Sequence, residues 1–86
     1  MLITKHTVAE KIAAYLRHDV TLEQLVDWAE NALMEGEFDE PDIDVLRTAI
    51  ARLGVADVRA FGLSWEDCEQ TLRELGYSAH VDIAIV

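Results

Sequence analysis

Three histidines, one cysteine, two serines and a dense run of carboxylates are the side chains of this 86-residue chain with the chemistry to ligate or react. His6, His18 and His80 stand far apart. No two of them, and no histidine with the cysteine, share the i, i+3 or i, i+4 spacing of a zinc site, and Asp82 lies only two residues past His80. No metal centre is expected from them. The acidic run, EGEFDEPDID from Glu35 to Asp44, invites comparison with a calcium loop. Read as a twelve-residue pattern from Glu35, it has Glu40 where glycine is needed at position 6 and Leu46 where glutamate is needed at position 12. It reads as a solvated acidic loop. Cys68 would be a nucleophile only if a helix start or a nearby cation lowered its pKa. Its helical spacing instead puts it on one stripe with Trp65 and Leu72, the setting of an inert core thiol.

Other routes to catalysis close in the same way. Ser64 is taken as a helix cap. The four glycines, Gly36, Gly54, Gly62 and Gly76, each fall where a helix stops, so none is left for a phosphate loop. Carboxylate pairs are plentiful, yet a chain this short has little room for the apolar pocket that would raise one pKa for acid catalysis. The expectation is a protein that is not an enzyme and needs no cofactor or metal.

The elements that would position any site are legible from their boundaries. The most complete is Thr21 to Gly36. Thr21 and Gln24 form a capping box, Val20 and Leu25 a hydrophobic staple, and Gly36 a stop. Leu22, Leu25, Val26, Ala29, Ala32 and Leu33 gather within about 120° of the helical wheel. Before it, Thr7 with Glu10 predicts the start of a helix that carries Val8, Ile12, Tyr15 and Leu16 and ends near His18. Met1 to Thr4 is a brief strand or a frayed end. After the acidic loop, Pro41 suits a first helical turn, and Ile43, Leu46, Ala49, Ile50 and Leu53 make the stripe of a helix that Gly54 stops.

If Gly54, Gly62 and Gly76 all sit just past a helix end, the apolar contacts that accompany such ends pair Ile50 with Val55, Val58 with Leu63 and Leu72 with Tyr77. A short helix over Ala56 to Phe61 follows from this. Another, capped by Ser64 and Asp67, runs from Trp65 to about Leu75. From Tyr77 the period changes to two, with Tyr77, Ala79, Val81, Ile83 and Ile85 alternating with Ser78, His80, Asp82 and Ala84. A C-terminal β-strand is predicted. Its partner is the Met1 to Thr4 segment, a second copy, or another protein; since Met1 to Thr4 is too short to cover it, Val81, Ile83 and Ile85 are expected to pair between molecules, as in a homodimer.

The fold class is therefore mainly α: one domain over residues 1–86, a bundle of four main helices and one short one with a C-terminal strand, or a small α+β fold if that strand finds a partner. Seventeen acidic against seven basic residues give a net charge of −10. That balance argues against an exposed phosphate backbone as partner, and for solubility or a basic protein. A lone cysteine, no signal-like N-terminus and no apolar run of membrane-spanning length fit a cytoplasmic protein that binds neither nucleic acid nor membrane.

Trp28 lies on the rim of the central helix's apolar stripe, and Phe38 sits within the acidic loop. Together they are candidate anchors for a protein partner, with Glu35, Glu37, Asp39, Glu40 and Asp42 as steering charges. The stretches LVDWAENALMEGEFDE and RLGVADVRAFGLSWEDC, followed by LGY, resemble a family of short bacterial proteins of uncharacterised function, across most of Leu25 to Tyr77. That resemblance implies no catalytic or binding residue. In size, acidity and helical build the chain is also similar in type to antitoxins and immunity proteins, which implies neutralisation of a basic protein by charge complementarity and a few aromatic anchors. Two functions are expected on these grounds: a non-enzymatic acidic protein-binding module, or an assembly module that homodimerises through its C-terminal strand.

Overall fold

Three of the four helices begin where a hydroxyl side chain takes over backbone N–H groups that the first turn leaves without partners. The computed structural model describes residues 2–58 and 62–79. Within them the order is β1 (Leu2–Ile3), α1 (Lys5–Leu16), α2 (Leu22–Glu35), β2 (Glu37–Phe38), a single 3-10 turn (Glu40–Asp42), α3 (Ile43–Gly54) and α4 (Trp65–Glu74). The molecule is mainly helical. Thr21 caps α2 as expected: its hydroxyl accepts from the Gln24 N–H at 3.1 Å, and the Gln24 side chain accepts from the Thr21 N–H at 2.8 Å. Ser64 and Asp67 do the same for α4, at 3.2 and 3.0 Å.

The cap of α1 differs from the expected one. Thr4, three residues ahead of Thr7, is its N-cap, and the two threonines close the box between themselves. The Thr4 hydroxyl accepts from the Thr7 N–H at 3.1 Å, and the Thr7 hydroxyl accepts from the Thr4 N–H at 3.2 Å. A threonine at the third helical position thus supplies the acceptor for which Glu or Gln is the usual choice.

The N-terminal segment is a strand, and its partner is in the acidic run. Leu2 pairs with Glu37 and Ile3 with Phe38 in a two-stranded parallel sheet. The Asp39 N–H extends the pairing by donating to the Ile3 carbonyl at 3.0 Å. Glu35 to Asp44 is therefore ordered structure where a solvated loop was expected. Gly36 makes the turn from α2 into β2 through close approach: a Cβ there would lie 2.6 Å from the Ala32 carbonyl oxygen and 2.9 Å from Ile3 Cγ1. Only glycine fits without displacing backbone.

The core is one cluster fed by β1 and the four described helices. Ile3 comes from β1, Val8 and Ile12 from α1, Leu25, Ala29 and Ala32 from α2, Leu46, Ala49, Ile50 and Leu53 from α3, and Cys68 and Leu72 from α4. α2 and α3 form the most extensive helix pair, while α1 touches α2, α3 and α4. The predicted stripes hold with three exceptions. Leu33 is exposed, Ala9, absent from the predicted stripe of α1, is buried, and Thr71, absent from that of α4, is fully buried. Its hydroxyl donates to the Asp67 carbonyl at 2.8 Å, so the burial leaves no orphan donor.

Helix ends divide the glycines in two. At Gly76 the backbone is left-handed, φ +91°. The Tyr77 N–H donates to the Leu72 carbonyl at 2.8 Å and the Gly76 N–H to that of Arg73 at 3.0 Å, the paired bonds of a Schellman end. Gly62 is also left-handed, φ +63°. Gly54 is not: it is the last residue of α3, packed beside Ala29 and Leu33 of α2, so the pairing of Ile50 with Val55 loses its basis. The end of α1 has the same two Schellman bonds, from His18 to Tyr15 and from Asp19 to Ala14, with His18 in the left-handed position at φ 65°.

Val55 to Asp57 are turns. The rest of the expected short helix, residues 59–61, and most of the expected C-terminal strand, including Val81, Ile83 and Ile85, lie outside the described residues; Tyr77 to Ala79 carry no strand pairing.

Candidate functional site

Charge is distributed more one-sidedly on the folded surface than in the sequence. Every described lysine and arginine has a partner of its own chain against it. Lys5 Nζ stands 3.7 Å from Asp42, Arg17 bonds Asp19 at 3.0 Å, Arg52 bonds Asp67 at 3.0 Å and Arg73 bonds Glu69 at 3.3 Å. The remaining two lie over aromatic rings, Lys11 at 5.6 Å from the centre of Trp28 and Arg47 at 5.8 Å from that of Phe38. Meanwhile Glu23, Asp27, Glu30, Glu35, Glu37, Glu40 and Asp44 are exposed to solvent. Four of the six described cations are thus paired with acids, while Lys11 and Arg47 keep their charge over neutral rings.

The expected anchors are edge-of-core residues, as the rim position of Trp28 implied. Trp28 and Phe38 are half-buried and packed against the core, and a cation of the same chain covers a face of each ring. Of the expected steering charges, Glu35, Glu37 and Glu40 are exposed, Asp39 is half-buried where its N–H meets β1, and Asp42 is paired with Lys5. Glu35 ends α2, Glu37 belongs to β2, and Glu40 and Asp42 belong to the 3-10 turn. Among the described residues, no group of three or more His, Cys, Asp or Glu side chains is close enough to hold a metal ion. His6 and Glu10, one turn apart on α1, approach to 3.8 Å and form an exposed pair, a proximity that their i, i+4 spacing could have signalled.

Cys68 and Asp67 are neighbours with opposite behaviour. Burial pushes the Cys68 thiol up to about 11, and the Asp67 charge beside it adds to the effect. It is a core thiol. Asp67 is held below the usual carboxylate range, chiefly by hydrogen bonds from the Ser64 backbone N–H and side chain, with the Arg52 guanidinium adding its charge. The aspartate thereby both closes the capping box of α4 and ties α4 to α3.

Two surface features were not singled out from sequence. The first is a cleft of about 550 Å³ between α1 and α4, floored by Ala9, Ala13, Leu16, Trp65 and Leu72, with His6, Glu10 and Arg17 at its edge and Tyr77 to Ala79 along one wall. Ala9 and Ala13, whose small side chains line it, lie outside the predicted stripe of α1. The second is a group of exposed apolar side chains on neighbouring elements: Leu33 and Met34 at the end of α2, and Val55 just past α3. Met34 stands outside the predicted stripe of α2, so of the two α2 residues only Leu33 departs from the helical pattern.

No protein-family model, curated protein or solved structure matches the chain. Among the described residues, no helix is long and apolar enough to cross a membrane.

Proposed function

We propose that this chain is a non-enzymatic protein-binding module that recognises a positively charged protein, in the manner of an antitoxin or immunity protein. The observation that supports this reading is the internal use of the cations: each described lysine and arginine faces an acid or an aromatic ring of its own chain, while acids of α2, β2 and the 3-10 turn face outward. A basic partner meets complementary potential and is steered on encounter, whereas an anionic one is repelled. Glu35, Glu37 and Glu40 supply the steering charge. Trp28 and Phe38 contribute at the margins of the surface while also supporting the fold.

The test is capture of partners from the native host's lysate on the tagged protein. At about 0.1 M salt, where the Debye length is about 10 Å, a basic protein is retained; at about 1 M, where it is about 3 Å, that protein is released. Glu35→Gln, Glu37→Gln and Glu40→Gln together weaken capture. Retention of the same protein at both salts, unaffected by the three substitutions, would reject the reading. Trp28→Ala and Phe38→Ala are poor first probes, because each removes core-edge packing worth roughly 2 kcal/mol.

A second reading, assembly of two copies through the C-terminal segment, is favoured by the α1/α4 cleft, whose wall at Ser78 and Ala79 leads into the apolar alternation of Val81, Ile83 and Ile85. It predicts a salt-insensitive dimer in sedimentation, converted to monomer by removal of residues 80–86.

A further inference from the structure

We propose that residues 80–86 occupy the cleft between α1 and α4 of their own chain, lying along it with Val81, Ile83 and Ile85 against its apolar floor. The cleft, about 550 Å³, is bounded by two helices that turn apolar side chains toward it: Ala9, Ala13 and Leu16 from α1, Trp65 and Leu72 from α4. The short side chains of Ala9 and Ala13 leave the space, and Ala13, Leu16 and Trp65 are only half-buried. A concave apolar site of this size takes a ligand or a chain segment.

The approach of the chain decides the occupant. The Schellman end of α4 turns the backbone at Gly76, and Tyr77, Ser78 and Ala79 then line one wall of the cleft. Ser78 is exposed, whereas Ala79 is half-buried and packed against the core cluster. In extended backbone alternate side chains share a face, so continuation in that phase puts Val81, Ile83 and Ile85 on the side of Ala79 and leaves His80, Asp82 and Ala84 on the side of Ser78. Length permits it. Seven residues at about 3.3 Å each reach about 23 Å, and α1 between His6 and Arg17, the first and last of its residues that line the cleft, is about 17 Å long. A second copy must bring another chain of net charge −10 to the same place, whereas residues 80–86 are tethered at the wall, at an effective concentration of about millimolar. The assignment is independent of the basic-partner reading, since Glu35, Glu37 and Glu40 do not line the cleft, and it is the intramolecular counterpart of the dimer reading.

The experiment is solution NMR on the full chain with isotope-labelled methyl groups and amides. The expected result is nuclear Overhauser effects from the Val81, Ile83 and Ile85 methyls to the Ala13 and Leu72 methyls and the Trp65 indole, with backbone order parameters near about 0.85 at residues 81–85, the value of rigid backbone. A mixture of labelled and unlabelled chains yields none of these effects between molecules, and the shifts do not change on dilution. Ile83→Asp sets a charge against the floor: order parameters at residues 81–85 fall below about 0.6 and the Ala13 and Trp65 resonances move. Those of Leu25 and Ala29, in the core, stay in place and show that the variant is folded. Ala13→Phe fills the cleft from α1 and produces the same loss of order at residues 81–85. Order parameters below about 0.6 in the unsubstituted chain, without the Overhauser effects, would overturn the proposal whatever either variant does. So would Ala13 and Trp65 resonances that Ile83→Asp leaves unmoved. Overhauser effects between molecules would overturn it as well and assign the cleft to a second copy, while salt-dependent capture of a basic protein stands or falls on its own.

Discussion

His18 is the one described non-glycine residue with a positive φ, and it occupies the same position after α1 that Gly76 occupies after α4. An L side chain in the left-handed region is crowded against its own carbonyl, whereas glycine is not. His18→Gly is therefore expected to stabilise the protein by about 0.5–1 kcal/mol, and Gly76→Ala to destabilise it by about 1 kcal/mol. Gly54→Ala has the opposite sign from Gly76→Ala. Gly54 is helical, and the added Cβ would make ordinary van der Waals contact with Ala29, Glu30 and Leu33, for a gain of about 0.5–1 kcal/mol. Urea unfolding of the three variants measures all three signs. At Cys68, a buried thiol with a pKa raised to about 11 is expected to resist a thiol-reactive disulfide reagent in native protein at pH 8 and to react at once in urea.

At the scale of the element, α4 depends on a single carboxylate. Asp67 accepts from the Ser64 N–H at its own helix start and from Arg52 of α3, so one side chain fixes both the first turn and the docking of the helix. Its folded pKa is depressed, so its stabilisation is fully present above the unfolded carboxylate value of about 3.9 and is lost as pH falls through the lower folded value. Asp67→Asn should lower stability at pH 7 and flatten the decline below about pH 5. Melting temperatures from pH 2 to 7 for both proteins check it. A parallel decline in the two would refute the role given to Asp67.

Across the whole molecule, excess acid sets the response to salt. Seventeen acids outnumber seven bases, and four of the described cations are already paired with acids, so the surplus glutamates and aspartates repel one another over distances that salt screens. Raising ionic strength from about 0.01 to about 0.15 M shortens the Debye length from about 30 to about 8 Å and should raise the melting temperature, by roughly 4 °C. Breaking four partly exposed ion pairs opposes this only weakly, since each is worth about 0.2–1 kcal/mol at most. A melting temperature that falls with added salt would mean that the pairs outweigh the repulsion.

By itself the sequence determined the four main helices, the caps of α2 and α4, the left-handed helix end at Gly76, the core role of Cys68 and the sign of the net charge. Each depends on residues within a few positions of one another or on composition alone, so local pattern suffices. Tertiary structure decided the rest. Leu2–Ile3 and Glu37–Phe38 are two-residue strands with no period to detect; they pair because α2 returns the chain beside β1 and Gly36 admits the close approach. Leu33 follows the apolar wheel of α2 yet is exposed, because α3 crosses α2 and ends beside it instead of covering its full length. Lys11 lies over the ring of Trp28 and Arg47 over that of Phe38, contacts between separate elements that no local spacing encodes. The acids could be counted in the chain; which cations they and the aromatics absorb, and so where the charge is left to act on a partner, depends on contacts between distant segments that only the packed molecule makes.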